Sequence, residues 1–189
     1  MAFENFKRVV TQVLQLTYNG GITFGDGKIQ TSAYRGYAGQ FSSAVTQATA
    51  SGTALNVVAL ADTDYSDGVS VATNKITYAN GGVYAFEFDA QVENINTTTR
   101  QDIYFFLRKN GVDVVGSTTS ASIVVQASSI AGKTLVTSTH MISVSAGDYI
   151  ELIWAGTSTD VRLQYTAASA TGIVRPSTAS ISVATWLLK

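Results

Sequence analysis

From Val83 to Val92 the chain alternates without a break. Tyr84, Phe86, Phe88, Ala90 and Val92 fall on one parity, and Glu87, Asp89 and Gln91 on the other. Successive side chains of a β-strand point to opposite faces, so this run is a strand with one face in a core and the other toward water. Such a strand needs a sheet around it and a second layer over its aromatic face. The rest of the chain offers both. Strand-like runs recur at 39–48, 55–60, 69–78, 103–109, 112–115, 121–126, 134–145, 149–155, 161–168 and 179–188, with 62–68 read as a polar loop and Asn80-Gly81-Gly82 as a turn. Asn110-Gly111 between two β-rich runs is the clearest hairpin signal. About ten antiparallel strands at this spacing predict an all-β sandwich or barrel and argue against a parallel sheet. A single proline among 189 residues fits, since proline removes a ladder donor.

Composition excludes several chemistries. There is no cysteine, which rules out disulfides, thiolate metal sites and cysteine nucleophiles, and the one histidine rules out a multi-histidine centre within one chain. A net charge of −1 provides no basic field for nucleic acid or an anionic membrane surface. No apolar run approaches the roughly 20 residues of a membrane-spanning helix. Residues 1–8 carry Glu4 and no long apolar stretch, so a secretory signal is not expected. Only 13% of residues are charged, against about 25% in a typical soluble domain. The surface is therefore rich in neutral hydroxyl and amide groups, or covered by other subunits. The second alternative has a local correlate. In Ile103-Tyr104-Phe105-Phe106-Leu107, and again in Tyr149-Ile150-Glu151-Leu152-Ile153-Trp154, both parities are apolar. One set fills the core, and the other needs cover. Tyr104 and Phe106, with Tyr165, are the candidates for a subunit contact, because aromatic residues bury large areas there.

Residues 1–35 differ from the rest of the chain. Phe3, Phe6, Val9, Val10, Val13 and Leu14 recur at helical spacing, yet residues 9–18 also read as a strand. An arm of about 18 residues cannot bury these side chains by itself, so Phe3, Phe6, Val10 and Leu14 are candidates for attachment to another surface. Ile22-Thr23-Phe24 between Asn19-Gly20-Gly21 and Gly25-Asp26-Gly27 reads as a tight hairpin. A head then occupies 36–189.

Sites of chemistry are sparse. Gly132-Lys133-Thr134 has the ending of a phosphate-binding loop, but the glycine required five residues earlier is Ala127 and a strand pattern comes next where a helix is needed. Asp62, Asp64, Ser66 and Asp67 offer oxygens, but Asp67 stands where a calcium loop needs glycine and Thr73 where it needs glutamate. His140 shares a parity with Val136, Ile142 and Val144, which marks a hydrogen-bonded structural histidine, and no Gly-x-Ser-x-Gly elbow accompanies it. Glu87 and Asp89 lie roughly 7 Å apart on one strand face, a spacing compatible with glycosidase chemistry, but nothing else marks a sugar cleft. Asn96-Thr97-Thr98 fits a glycosylation triplet and reads as a polar loop. No enzymatic activity, metal or cofactor is expected.

Several segments together carry a resemblance. Asp67-Gly68-Val69-Ser70-Val71, Lys75-Ile76-Thr77-Tyr78 and Gly81-Gly82-Val83-Tyr84-Ala85-Phe86-Glu87-Phe88 resemble the signature of the jelly roll shared by tumour necrosis factor and complement-type globular heads, in its bacteriophage form. Leu107-Arg108-Lys109-Asn110-Gly111-Val112-Asp113-Val114, Ser145-Ala146-Gly147-Asp148-Tyr149-Ile150-Glu151-Leu152 and Leu163-Gln164-Tyr165-Thr166-Ala167-Ala168 extend it over most of 36–188. Residues 19–33, with Gly20-Gly21-Ile22-Thr23-Phe24, Asp26-Gly27 and Gln30-Thr31, are similar to a linker found before the heads of phage fibre and decoration proteins. The resemblance implies a jelly-roll sandwich of about ten strands, a homotrimer and a place in a virion, attached through the arm to other capsid or tail proteins. No coiled-coil or triple-helical shaft precedes the linker, which favours a capsid decoration or cement protein, or a short knob. The alternative is the head of a tail fibre or spike that binds a host surface glycan or protein.

Overall fold

The structure, a computed structural model, describes residues 36–188 and the backbone of Ile22–Thr23 and Ile29–Gln30. The chain divides into two units, 1–35 and 36–189. In the first, strand β1 (Ile22–Thr23) pairs antiparallel with β2 (Ile29–Gln30). Phe3, Phe6, Val10 and Leu14, and the arm's helix-or-strand ambiguity, lie outside the described residues.

The second unit holds fourteen strands and, among the described residues, no helix. They are β3 (Ala38–Ser43), β4 (Gln47–Ala48), β5 (Asn56–Val57), β6 (Asp62–Asp67), β7 (Val69–Ala72), β8 (Lys75–Tyr78), β9 (Gly82–Asn94), β10 (Gln101–Lys109), β11 (Val112–Asp113), β12 (Thr119–Ile123), β13 (Gly132–Val144), β14 (Tyr149–Gly156), β15 (Val161–Leu163) and β16 (Ile181–Leu187). One sheet has the order β7-β8-β14-β10-β12, with β5 beside β14 and β11 beside β10. The other runs β6-β3-β16-β9-β13, with β15 continuing the β16 edge of β9 and β4 beside β15. All these pairings are antiparallel, and four of them nest: β3 with β16, β8 with β14, β9 with β13 and β10 with β12.

The predicted alternation in β9 is what closes the two sheets on each other. Tyr84, Phe86, Phe88, Ala90 and Val92 are buried in one core cluster with Ile103, Phe105 and Leu107 of β10 and Ile150, Leu152 and Trp154 of β14. Phe88 meets Phe105 across the layers with ring centroids 4.9 Å apart, and Tyr84 meets Tyr78 edge-on at 4.6 Å. The Tyr78 hydroxyl shares a hydrogen bond of 3.1 Å with Thr185 of the facing sheet, and Thr185 donates to the Ala85 carbonyl at 2.8 Å. Burial pushes the Tyr78 hydroxyl far above the ordinary phenol range, with the Thr185 bond a smaller opposing effect.

Turn chemistry is legible at one end and hidden at another. Asn110 and Gly111 have φ of 50° and 83° and join Lys109 to its partner Val112, the two-residue turn that Asn-Gly predicts. The run 69–78, read as one strand, is instead the hairpin β7–β8. Thr73 and Asn74 turn it with φ of 49° and 65° and no glycine to announce them, and the Asn74 side chain accepts the Leu60 N–H at 3.1 Å. The polar run 62–68, expected to be a loop, is strand β6 up to Asp67. It pairs with β3 at a sheet edge, and its side chains are almost all exposed, a position where polar residues guard against further pairing. The strand expected over 161–168 ends at Leu163.

Two substitutions test this packing. Phe88→Ala should cost roughly 3–5 kcal/mol in denaturant unfolding, the usual loss for a large aromatic residue in a closed core. A loss under about 1 kcal/mol would mean that the facing sheet collapses into the space. Gly132→Ala should also unfold the head or displace the segment before β13, because its Cβ would run into the Val124 carbonyl oxygen.

Candidate interaction surfaces

Strand parity assigns Tyr104 and Phe106 to the outer face of β10, opposite the buried Ile103, Phe105 and Leu107. Tyr104 is 40% exposed and Phe106 half-buried. Their cross-strand partners on β14 are Ala155 and Ile153, and Ile153 pairs in turn with the exposed Val57 of β5. Ile153 and Ala155 are buried within the chain, so what stays open on this face is Tyr104, part of Phe106 and Val57. Asp102 with Ser122, which are hydrogen-bonded, borders one end. Arg108 borders the other, bonded to Asp113 at 2.7 Å. Tyr165 lies elsewhere, half-buried just past β15 in the opposite sheet, with its N–H on the Thr46 hydroxyl at 3.2 Å. The three candidate contact residues therefore do not form one face within a chain.

A second apolar strip has no counterpart among the sequence expectations. On the outer face of the other sheet, Ala38, Trp186, Ala85 and Met141 are successive cross-strand partners on β3, β16, β9 and β13. Met141 is 80% exposed and Trp186 37%. Glu87 and Asp89 occupy the next rows of β9 on this open sheet surface, Glu87 accepting the Thr139 hydroxyl at 3.3 Å. Neither of them lines the cleft at the far end of β9.

The third feature is polar. At the far end of β9, Glu93 has Lys133 of β13 and Arg162 of β15 as cross-strand neighbours. The Glu93 side chain is 5% exposed and takes the Arg162 Nε at 2.6 Å, with the Lys133 Nζ 3.9 Å away. This trio lies in a cleft of about 710 Å³. Lys133 is the lysine of the Gly-Lys-Thr triplet, which begins a strand and not a helix.

His140 is half-buried, with its Nε2 3.1 Å from Ser138 Oγ, and Ser138 takes the Thr119 hydroxyl at 2.9 Å. Among the described residues no carboxylate hydrogen-bonds the ring, and burial lowers its pKa. No cluster of three or more His, Cys, Asp or Glu is placed for a metal among the described residues, and no helix among them is long and apolar enough to cross a membrane. No known protein family matches the chain, and no curated protein matches it.

The segments at 107–114 and 145–152 converge in a clasp at one end of the sandwich. Asp148 accepts Lys109 Nζ at 2.8 Å, the Ser145 N–H at 2.7 Å and the Asn110 amide at 2.7 Å, and Asn110 takes the Tyr149 N–H at 2.9 Å. These donors, Lys109 foremost, hold the Asp148 carboxyl down to about 2. Folding thus favours the ionised form. The stability it contributes is present above the ordinary value of 3.8 and is lost as pH falls toward 2. Melting temperature should therefore drop between about pH 4 and pH 2. In Asp148→Asn that step should shrink, with a lower melting temperature at neutral pH. An unchanged acid profile in the variant would remove Asp148 from this role.

Proposed function

We propose that the chain is a non-enzymatic structural protein of a bacteriophage virion, a trimeric capsid decoration or cement protein, or a short knob, attached through its N-terminal arm. Its head is a jelly roll of the tumour-necrosis-factor type. Nested pairing supports the fold reading: β3 with β16, β8 with β14, β9 with β13 and β10 with β12 make one long antiparallel hairpin wrapped into two five-stranded layers once the two- and three-residue strands are set aside. The observation that carries the assembly part of this reading is the apolar side chains left exposed on each sheet, Tyr104 and Val57 on one and Trp186 and Met141 on the other.

Threefold association makes each contact heterologous, so two different surfaces meet at every joint. The Tyr104–Phe106 face of one subunit then docks on the opposite sheet of the next, the sheet that carries Trp186 and beyond whose strand β15 Tyr165 lies. Light scattering at micromolar concentration should give about 60 kDa, three times the 20.0 kDa of one chain. Tyr104→Glu should shift it toward 20.0 kDa by placing a charge in the joint. A wild-type protein that scatters as a monomer overturns the trimer.

Attachment is assigned to Phe3, Phe6, Val10 and Leu14. Deleting residues 1–18 should leave a folded head that no longer joins particles; normal copy number on particles would disprove the anchor. Particles lacking the protein should adsorb normally yet break more readily on heating. Lost adsorption with unchanged robustness favours the second reading, a receptor-binding head, for which the cleft around Glu93 is the supporting observation.

A further inference from the structure

The cleft at the far end of β9 is a built site rather than a gap between loops. Its floor is the cross-strand row Lys133, Glu93, Arg162, and its walls include Gln126, Ser129 and Ile130 of the β12–β13 connection, with Thr46 and Gln164 opposite. The connection is pinned in place: the Gln126 N–H bonds the Asn96 carbonyl at 2.7 Å, and Ala127 and Ile130 exchange N–H bonds at 3.0 and 2.8 Å. Between them Ser128 and Ser129 both adopt left-handed backbone, with φ of 48° and 64°. Left-handed backbone is uncommon for non-glycine residues, and here the turn places Ser129 in the lining of the cleft.

The charges do not cancel. Glu93 is nearly fully buried and is matched by Arg162 through one strong bond to Nε, while Lys133 Nζ stands beyond hydrogen-bond distance. One carboxylate faces two cations, so the recess carries a net positive charge. The terminal amino groups of Arg162 and the ammonium of Lys133 make no hydrogen bond to another described residue. Gln164 donates to the Tyr165 carbonyl at 2.7 Å and keeps its side-chain oxygen, and Thr46 accepts the Tyr165 N–H and keeps its proton. Ile95 and Ile130, the latter 71% exposed, add apolar surface.

We propose that this cleft binds an acidic saccharide, a sugar residue bearing a carboxylate, within a host surface glycan. Arg162 and Lys133 take the carboxylate as charge-assisted donors. Gln126, Ser129, Thr46 and Gln164 take ring hydroxyls, and the isoleucines take the C–H face. A phosphate fits less well: the recess holds a single surplus positive charge with the Glu93 carboxylate beside it, and the β-strand floor spends its backbone N–H groups on the sheet rather than aiming them at an anion. The inference supplies a ligand for the receptor-binding reading and does not depend on the decoration reading.

Calorimetric titration of the intact protein with an oligogalacturonate, a neutral galactose oligomer of equal length and inorganic phosphate tests it. The uronate should bind, weakly per subunit, and the neutral oligomer and phosphate should bind at least about tenfold less well. Lys133→Gln keeps the Arg162–Glu93 pair and should weaken the uronate about tenfold with an unchanged melting temperature. Gln126→Ala, away from the ion pair, should weaken the uronate and the neutral oligomer alike. Equal binding of acid and neutral sugars, preference for phosphate, or no uronate binding by the folded wild-type protein overturns the proposal. None of those outcomes touches the virion-structural reading, which is tested on particles.

Discussion

The aromatic inner face of β9 is the constraint on which the rest of the structure depends. Thirteen consecutive residues of this strand pair with β13, and the opposite edge is shared end to end by β16 and β15. Tyr84 and Phe88 then reach across the gap to Tyr78 and Phe105. A long strand saturated on both edges fixes the register of one sheet, and its aromatic side chains fix the distance and alignment of the other. The hydrophobic contribution is non-directional, but the ring geometry and the Tyr78–Thr185 hydrogen bond are not, and they select one sliding position between layers.

With the inner face committed, the outer face of β9 becomes the place where the molecule differs along its length. Ala85 stands between Trp186 and Met141, Glu87 and Asp89 come next beside Thr139 and Ala184 and beside Thr137 and Ser182, and Glu93 closes the row between Arg162 and Lys133. An apolar end suited to subunit contact and a charged recess suited to a small ligand are thus held about eight residues apart on one rigid element, roughly 27 Å at strand rise. Rigid strands place such groups more accurately than loops do.

Much of the fold is legible in the sequence because it rests on period-two patterning. The alternation of β9, the separation of Ile103, Phe105 and Leu107 from Tyr104 and Phe106 as two faces, and the Asn110-Gly111 turn all come from residues adjacent in sequence. What stays hidden depends on register or on edges. Thr73-Asn74 turns the chain with no glycine, so residues 69–78 read as one strand. Asp62–Asp67 has no apolar face, because an edge strand exposed on both sides needs none. The segments 107–114 and 145–152 stand out as sequence marks, but their physical reason is a clasp of Lys109, Asn110 and Asp148 between turns that no local pattern connects.

The cleft shows the same limit more sharply. Parity alone puts Glu93 on the outer side of β9 with Glu87 and Asp89, and nothing local distinguishes the three. Only the pairing of β9 with β13, β15 and β16 brings a cation to each side of Glu93 and leaves Glu87 between Thr139 and Ala184 and Asp89 between Thr137 and Ser182. Lys133 draws notice in the sequence for the wrong chemistry, as the end of a phosphate loop, because the triplet is local while its partners lie about 40 and 30 residues away in sequence. Burial then separates the three carboxylates physically. Glu93 is buried and paired with Arg162, whereas Glu87 and Asp89 are only part-buried and have no ion pair among the described residues. Arg162 alone balances the Glu93 carboxylate, and Lys133 on the other side adds the surplus charge on which the proposed preference for an acidic ligand rests.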